Sequence, residues 1–248
     1  MKKTSIILAL AALTALGACS SHYQLTQVSR TRVLIDGRYD RPGSEAETFL
    51  APYAHKVDSL MSPVVGTAAR YMASHRPESE LSNLLSDILV WGAARMGERA
   101  DFAVYNMGGI RAALAKGQVT IGDVLDVAPF ENKLCVLTLT GDKVTELFTQ
   151  IASVGGEGVS HGVALTISRD GRLLSATVGG HPIDPKRDYR IATLDYLAQG
   201  NDRLVAFKAK SQVVAPQEQD NNVRYIIMDY FRAQGTVDAY TEGRIAIK

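Results

Sequence analysis

Three stretches of this sequence set groups that bind anions, hydroxyls or flat rings beside residues that turn the chain. Asn106-Met107-Gly108-Gly109-Ile110-Arg111 runs from an apolar segment into two glycines and then an arginine that reads as the start of a helix. Glycines let a ligand approach the main chain, a helix start offers free N–H groups, and a guanidinium binds phosphate or carboxylate in bidentate fashion. In Gly122 to Asn132, Phe130 follows Pro129, which fixes the backbone, so the aromatic is held at a loop where its face can stack on a base. Thr193 to Asp202 passes from a strand-like run to Tyr196, a glycine and Asp202, a carboxylate able to accept bonds from both hydroxyls of a ribose. Each stretch also has an ordinary reading: a turn with a surface arginine, a core phenylalanine, and an Asn-Asp turn.

The elements that must carry these groups follow from hydrophobic spacing. Ser44-Glu45-Ala46-Glu47 reads as a capped helix start, with Phe49, Leu50, Tyr53, Val57, Leu60 and Met61 at helical spacing up to Pro63. A second helix is expected over 79–96. Phe102 to Tyr105 and Leu134 to Leu139 read as buried strands, and 141–154 as a helix with Val144, Leu147, Phe148 and Ile151 on one side. Strands at 163–167 and 173–178 are joined by a turn of the Asp-Gly kind at Asp170-Gly171. A strand at 189–193 and a helix over 223–232 complete the pattern. Interspersed helices and strands with an antiparallel hairpin give a mixed-sheet α/β or α+β class. Residues 20–43 read as a tether followed by an edge strand at Val33-Leu34-Ile35.

Taken in order, the motifs resemble the C-terminal, substrate-binding domain of 5'-nucleotidases and the related UDP-sugar hydrolases and 2',3'-cyclic phosphodiesterases. The resemblance is carried by Ser82 to Asp87, Asn106 to Arg111, Thr120 to Asn132, Leu139-Thr140-Gly141, Pro182 to Thr193, and Tyr196 to Asp202, and covers about residues 63–248. It implies a layered α-β-β-α domain with mixed sheets. It also implies a nucleoside pocket in which Phe130 and Tyr196 sandwich the base, Asp202 holds the ribose hydroxyls, and Arg111 with Asn106 reaches the ribose-phosphate region. The chain departs from the family pattern at Glu131 and Arg203, where glycine is usual. Asn201 is expected to keep a left-handed turn there, whereas Arg203 is unsuited to one. Arg76-Pro77 aligns loosely with a further family arginine.

Lys2, Lys3 and the apolar run Ile6 to Leu16 read as an export signal over residues 1–18, too short to span a bilayer. Leu16-Gly17-Ala18-Cys19 has the small-residue pattern of a bacterial lipoprotein box, which makes Cys19 the lipidation site and the cell envelope, on an outer membrane, the expected location. Domains are then expected as signal 1–18, tether 19–43 and a nucleotidase-like domain 44–248. With 46% hydrophobic and 21% charged residues and a net charge of +1, nothing favours a nucleic-acid partner. Cys135, in a strand-like run, reads as a packing thiol. The five histidines are scattered without metal-binding spacing, and Ser160-His161 is a chain pair, not a triad. No catalytic residue, metal or cofactor is expected in this chain. Divalent metals are expected on a separate exported metallophosphatase, with which it would form a split 5'-nucleotidase acting on nucleotide phosphomonoesters or UDP-sugars. The alternatives are a non-catalytic nucleoside- or nucleotide-binding lipoprotein and a degenerate scaffold for protein contacts.

Overall fold

The computed structural model describes residues 23–37 and 43–248, so the expected export segment and Cys19 lie outside the described residues. The chain divides into two units between Leu50 and Ala51. In the first, residues 23–35 form no helix or strand, and Val33, Leu34 and Ile35 are exposed. The edge strand expected there is not formed: among the described residues, 23–35 pair with no strand. Ser44 opens helix α1 (Glu45–Met61) with a capping box: its Oγ accepts from Glu47 N at 3.1 Å, and Glu47 Oε2 accepts from Ser44 N at 3.2 Å.

The second unit continues with β1 (Val64–Ala68), α2 (Glu80–Arg95), β2 (Phe102–Tyr105), β3 (Gly117–Thr120), α3 (Ile121–Val127), β4 (Leu134–Thr140) and α4 (Gly141–Ser153). It goes on through β5 (Gly158–Val159), β6 (Val163–Ile167), β7 (Leu173–Val178), β8 (His181–Pro182), β9 (Asp188–Leu194), α5 (Asp195–Ala198), β10 (Ser211–Val214), α6 (Val223–Gln234), β11 (Thr236–Val237) and β12 (Ile245–Ile247). Helix α2 starts at Ser79, whose Oγ accepts from Ser82 N at 3.3 Å while Ser82 Oγ accepts from Ser79 N at 3.1 Å. Its buried stripe, Leu81, Leu84, Leu85, Ile88 and Leu89, recurs at three and four residues, the spacing that keeps one face inward.

The strands form three mixed sheets, in the orders β11-β1-β3, β10-β4-β9-β2-β5 and β12-β6-β7-β8. The fold is mixed α/β with mixed sheets, as the alternation of elements requires. In the five-stranded sheet every residue of β2, and every residue of β4 up to Leu139, is buried, so both faces are covered. Helices α2 and α4 both pack on this sheet; α4 also meets β7, and α6 bridges α2 and β1. Phe102 of β2 meets Phe148 of α4 with ring centroids 5.3 Å apart.

Candidate functional site

Sheet topology brings the three motifs together. Strands β2 and β9 are parallel neighbours, and β4 runs antiparallel on the other side of β9, with Leu134 opposite Leu194. The carboxyl ends of β2 and β9 and the start of β4 therefore share one edge, the place where open α/β sheets collect ligands. Asn106 follows β2, Phe130 and Asn132 precede β4, and Tyr196 and Asp202 follow β9. Asp195 joins two of these segments: its Oδ1 accepts from Lys133 N at 3.0 Å and from Tyr196 N at 2.8 Å.

A cavity of about 220 Å³ at this edge is lined by Asn106, Gly108, Gly109, Phe130, Asn132, Tyr196 and Asp202. Phe130 and Tyr196 are 49% and 38% exposed, so each offers a ring face instead of being spent in the core. Asp202 Oδ2 accepts from Asn106 Nδ2 at 2.7 Å and Oδ1 from the Tyr196 hydroxyl at 2.8 Å. Each carboxylate oxygen keeps a second acceptor site. The bond to Asp202 is also the first reason the Tyr196 phenol is pushed above its ordinary value, burial being the second. Asn106 Oδ1 is buried without a hydrogen-bond partner. A Cβ on Gly109 would sit 2.7 Å from that oxygen, so glycine is required there by the Asn106 carboxamide folded over it.

The anion side differs from expectation. No helix follows Arg111; Met107–Gly109 form a single 3-10 turn. Four of the five N–H groups of 107–111 are spent within the protein: Met107 N on Glu157 Oε2 at 2.5 Å, Gly109 N on Asn106 O at 3.0 Å, Ile110 N on Met107 O at 3.1 Å and Arg111 N on Val127 O at 3.0 Å; the fifth, that of Gly108, belongs to a residue of the cavity lining. The turn cannot cradle a phosphate with those donors, and no helix dipole adds to them. Arg111 stands outside the cavity lining, exposed, with Nη1 3.3 Å from Gly108 O. The groups left to meet an anion at this rim are the Arg111 side chain and the Gly108 N–H.

The turn before Asp202 also departs from expectation. Asp202 and Arg203 occupy the left-handed region, at φ 52° and 65°, and Asn201 does not. The strain, ~1–2 kcal/mol per residue, is offset by the bonds that hold Asp202 and by Asn201 Nδ2 donating to Tyr196 O at 2.9 Å. Neither Arg203 nor Glu131 lines the cavity. Glu131 is exposed, and its Oε1 lies 3.9 Å from Nη1 of Arg224.

Residues 64–209 match the family described as 5'-nucleotidase, C-terminal domain. The chain belongs to this family. Protein UshA of Escherichia coli is 26% identical over 194 residues, covering 73% of this chain and 35% of UshA. A 5'-nucleotidase of Vibrio vulnificus is 27% identical over 193 residues, with the same coverage, 73% and 35%. The crystal structure of the 5'-nucleotidase precursor of Thermus thermophilus superposes with a TM-score of 0.71 at 29% identity, over 82% of this chain and 43% of that one. The chain thus spans about a third of the length of these two sequence relatives.

Two residues of this 5'-nucleotidase C-terminal domain were not singled out from sequence. Asn132 lines the cavity between the aromatics; it stands in the Pro129-Phe130-Glu131-Asn132 motif, and a carboxamide two residues after an exposed ring was the available signal. Glu157 had no local signal, because the residues it touches lie far off in the chain. Elsewhere, Ser160 Oγ accepts from Ala103 N at 2.8 Å while His161 Nδ1 lies 3.1 Å from Glu242, so the neighbouring pair points apart. Burial pushes the Cys135 thiol up to about 11, which keeps it protonated and unreactive at neutral pH. Among the described residues no group of three or more His, Cys, Asp and Glu is placed to hold a metal ion. A larger cavity of about 320 Å³, lined by Arg95, Glu218, Asp220, Asn221 and Asp229 among others, shares no residue with the site.

Proposed function

We propose that the cavity at the edge of the five-stranded sheet receives a nucleoside or nucleoside phosphate. The base stacks between Phe130 and Tyr196, Asp202 accepts the ribose hydroxyls, Asn132 meets the base edge, and Arg111 reaches the phosphate. The observation that carries this reading is the convergence of two part-exposed rings, a held carboxylate and a carboxamide on one cavity. In this reading the chain is the recognition half of a split 5'-nucleotidase. A separate exported metallophosphatase supplies the divalent metals, and a lipid on Cys19 holds the chain at the cell envelope, on an outer membrane.

Calorimetry with adenosine and AMP tests the pocket. Wild type binds and Phe130→Ala and Tyr196→Ala do not; a wild type that binds neither ligand overturns the reading. The split enzyme is tested by adding the chain to an exported metallophosphatase that carries the metal sites: AMP or UDP-sugar hydrolysis rises, and an unchanged rate sinks that part.

With the Met107, Gly109, Ile110 and Arg111 N–H groups already bonded within the protein, a second reading is capture of nucleosides without chemistry. Adenosine and AMP then bind equally, whereas a phosphate-reading site prefers AMP. The third reading, a degenerate scaffold kept for protein contacts, is less supported, since Glu131 and Arg203 are not among the residues lining the cavity.

A further inference from the structure

We propose that Glu157 is a positioning residue for the pocket, holding Asn106 on Asp202 from behind the turn; this rests on the nucleoside reading above. Strand β5 pairs with β2 so that Gly158 lies opposite Tyr105, which sets Glu157 beside the chain as it leaves β2 towards Asn106. The side chain is 2% exposed. Its Oε2 accepts from Met107 N at 2.5 Å, and its Oε1 is paired with Arg76, whose Nε donates to Gly156 O at 2.8 Å. The Met107 N–H is the first donor of the 3-10 turn, and no side chain from the turn itself caps it. Fixing Met107 fixes the backbone that aims Asn106 at Asp202.

A carboxylate in this place is under opposed pulls. Burial acts most strongly and raises its affinity for a proton; the Met107 N–H and Arg76 act the other way, and Asp202 adds to the raising. These are the groups that face it: Arg76 from the segment before α2, Met107 from the turn after β2, and Asp202 from the loop after α5. The sign of the linkage separates positioning from simple packing. With the folded value raised, protonation on acidification favours the fold, so the stability contributed by Glu157 grows as pH falls into the carboxylate range. The same proton removes the ion pair and one acceptor that hold the turn, so nucleoside affinity falls over the same range. A residue that only packs would move stability and affinity together.

The test is adenosine calorimetry on wild type and Glu157→Gln at pH 7.5 and 5.0, with the Met107 amide and the Asn106 side-chain NH₂ resonances followed by NMR. In wild type, affinity drops severalfold between the two pH values and both sets of resonances titrate together. In Glu157→Gln, affinity at pH 7.5 is roughly 10-fold weaker, as for loss of bonds to a charged acceptor, and the pH dependence is reduced. Unchanged Asn106 resonances through the wild-type titration, or wild-type affinity in Glu157→Gln, overturns the proposal. The wild-type titration needs no variant, so a Glu157→Gln chain that does not fold leaves the proposal decidable. Should wild type bind no adenosine, the nucleoside reading fails, and the coupling of the Met107 and Asn106 resonances still decides the role of Glu157.

Discussion

At the scale of single residues, the pocket works through groups tied to one another before any ligand arrives. Tyr196 contributes a ring and a hydroxyl, and the two are separable. Tyr196→Phe keeps the stacking face and loses the bond to the Asp202 carboxylate, so adenosine affinity should fall roughly 10-fold, the lower end for a bond to a charged acceptor. Tyr196→Ala should lose in addition the ~1–3 kcal/mol of stacking. Calorimetry on the pair distinguishes them, and equal losses would show that the hydroxyl contributes nothing. The phenol titrates above the ordinary 10 chiefly because it donates to Asp202. Its contribution is therefore fully present below that ordinary value and is lost as pH rises through the folded one. Asp202→Asn should bring the ionisation of Tyr196 back down in an ultraviolet titration. Arg111 is the complementary case. It lies outside the cavity lining, so Arg111→Ala should leave adenosine binding unchanged and weaken AMP roughly 10-fold. Equal weakening of both ligands would place the guanidinium on the nucleoside instead.

At the scale of elements, the aromatic wall is carried by α6. Arg224 Nη2 donates to Pro129 O at 2.7 Å and Val223 N to Asn132 O at 2.9 Å, so the first turn of α6 grips the loop on both sides of Phe130. The Arg224 Nε is buried without a partner. Arg224→Met thus removes one charged donor bond and one unsatisfied donor, two changes of opposite sign. Its unfolding free energy should shift by less than ~1 kcal/mol while adenosine affinity falls several-fold; loss of stability with intact affinity would contradict this. The glycine of Leu139-Thr140-Gly141 has a different task. A Cβ there would lie 1.9 Å from the Asp184 carbonyl oxygen, a backbone atom with no rotamer to move. Gly141→Ala should cost more than ~3 kcal/mol in denaturant unfolding, the range of severe overpacking. Helix and strand periods were legible for these elements because each has a long one-sided apolar pattern. The helix expected at Arg111 is not there: the chain leaves the 3-10 turn extended, with Ile110 at φ −88° and ψ 111°, and Arg111 N is held by Val127 O from the end of α3.

At the scale of the molecule, the C-terminal strand is fastened to α2 through a charged cluster. Arg244, 5% exposed, is paired with Asp87 and Glu242 at 2.7 and 2.8 Å, and also donates to Val159 O at 2.8 Å. Burial alone would lower both groups' readiness to be charged, but Arg244 is held above its ordinary value by Asp87 and Glu242, and Glu242 below its own by His161 and Arg244. Arg244→Met should cost about 2 kcal/mol, less than the ~3–5 of a fully buried pair because Asp87 and Glu242 are part-exposed. The Glu242 contribution is present above the ordinary carboxylate range and is lost as pH falls through its lower folded value. Acid unfolding of Glu242→Gln should lack that component, and an unchanged acid transition would exclude it. The sequence by itself determined the order of elements, the mixed α/β class, the family, and the set of aromatic, carboxylate and carboxamide groups after β2, before β4 and after β9. All of these are written in local spacing and in motifs a few residues long. Only the tertiary structure decided how those groups are committed. Asn106 and Asp202 are 96 residues apart, Met107 and Glu157 50 apart, and Arg76 and Glu157 81 apart. No local period encodes bonds over such separations; they exist because the order β4-β9-β2-β5 lays the ends of distant strands side by side.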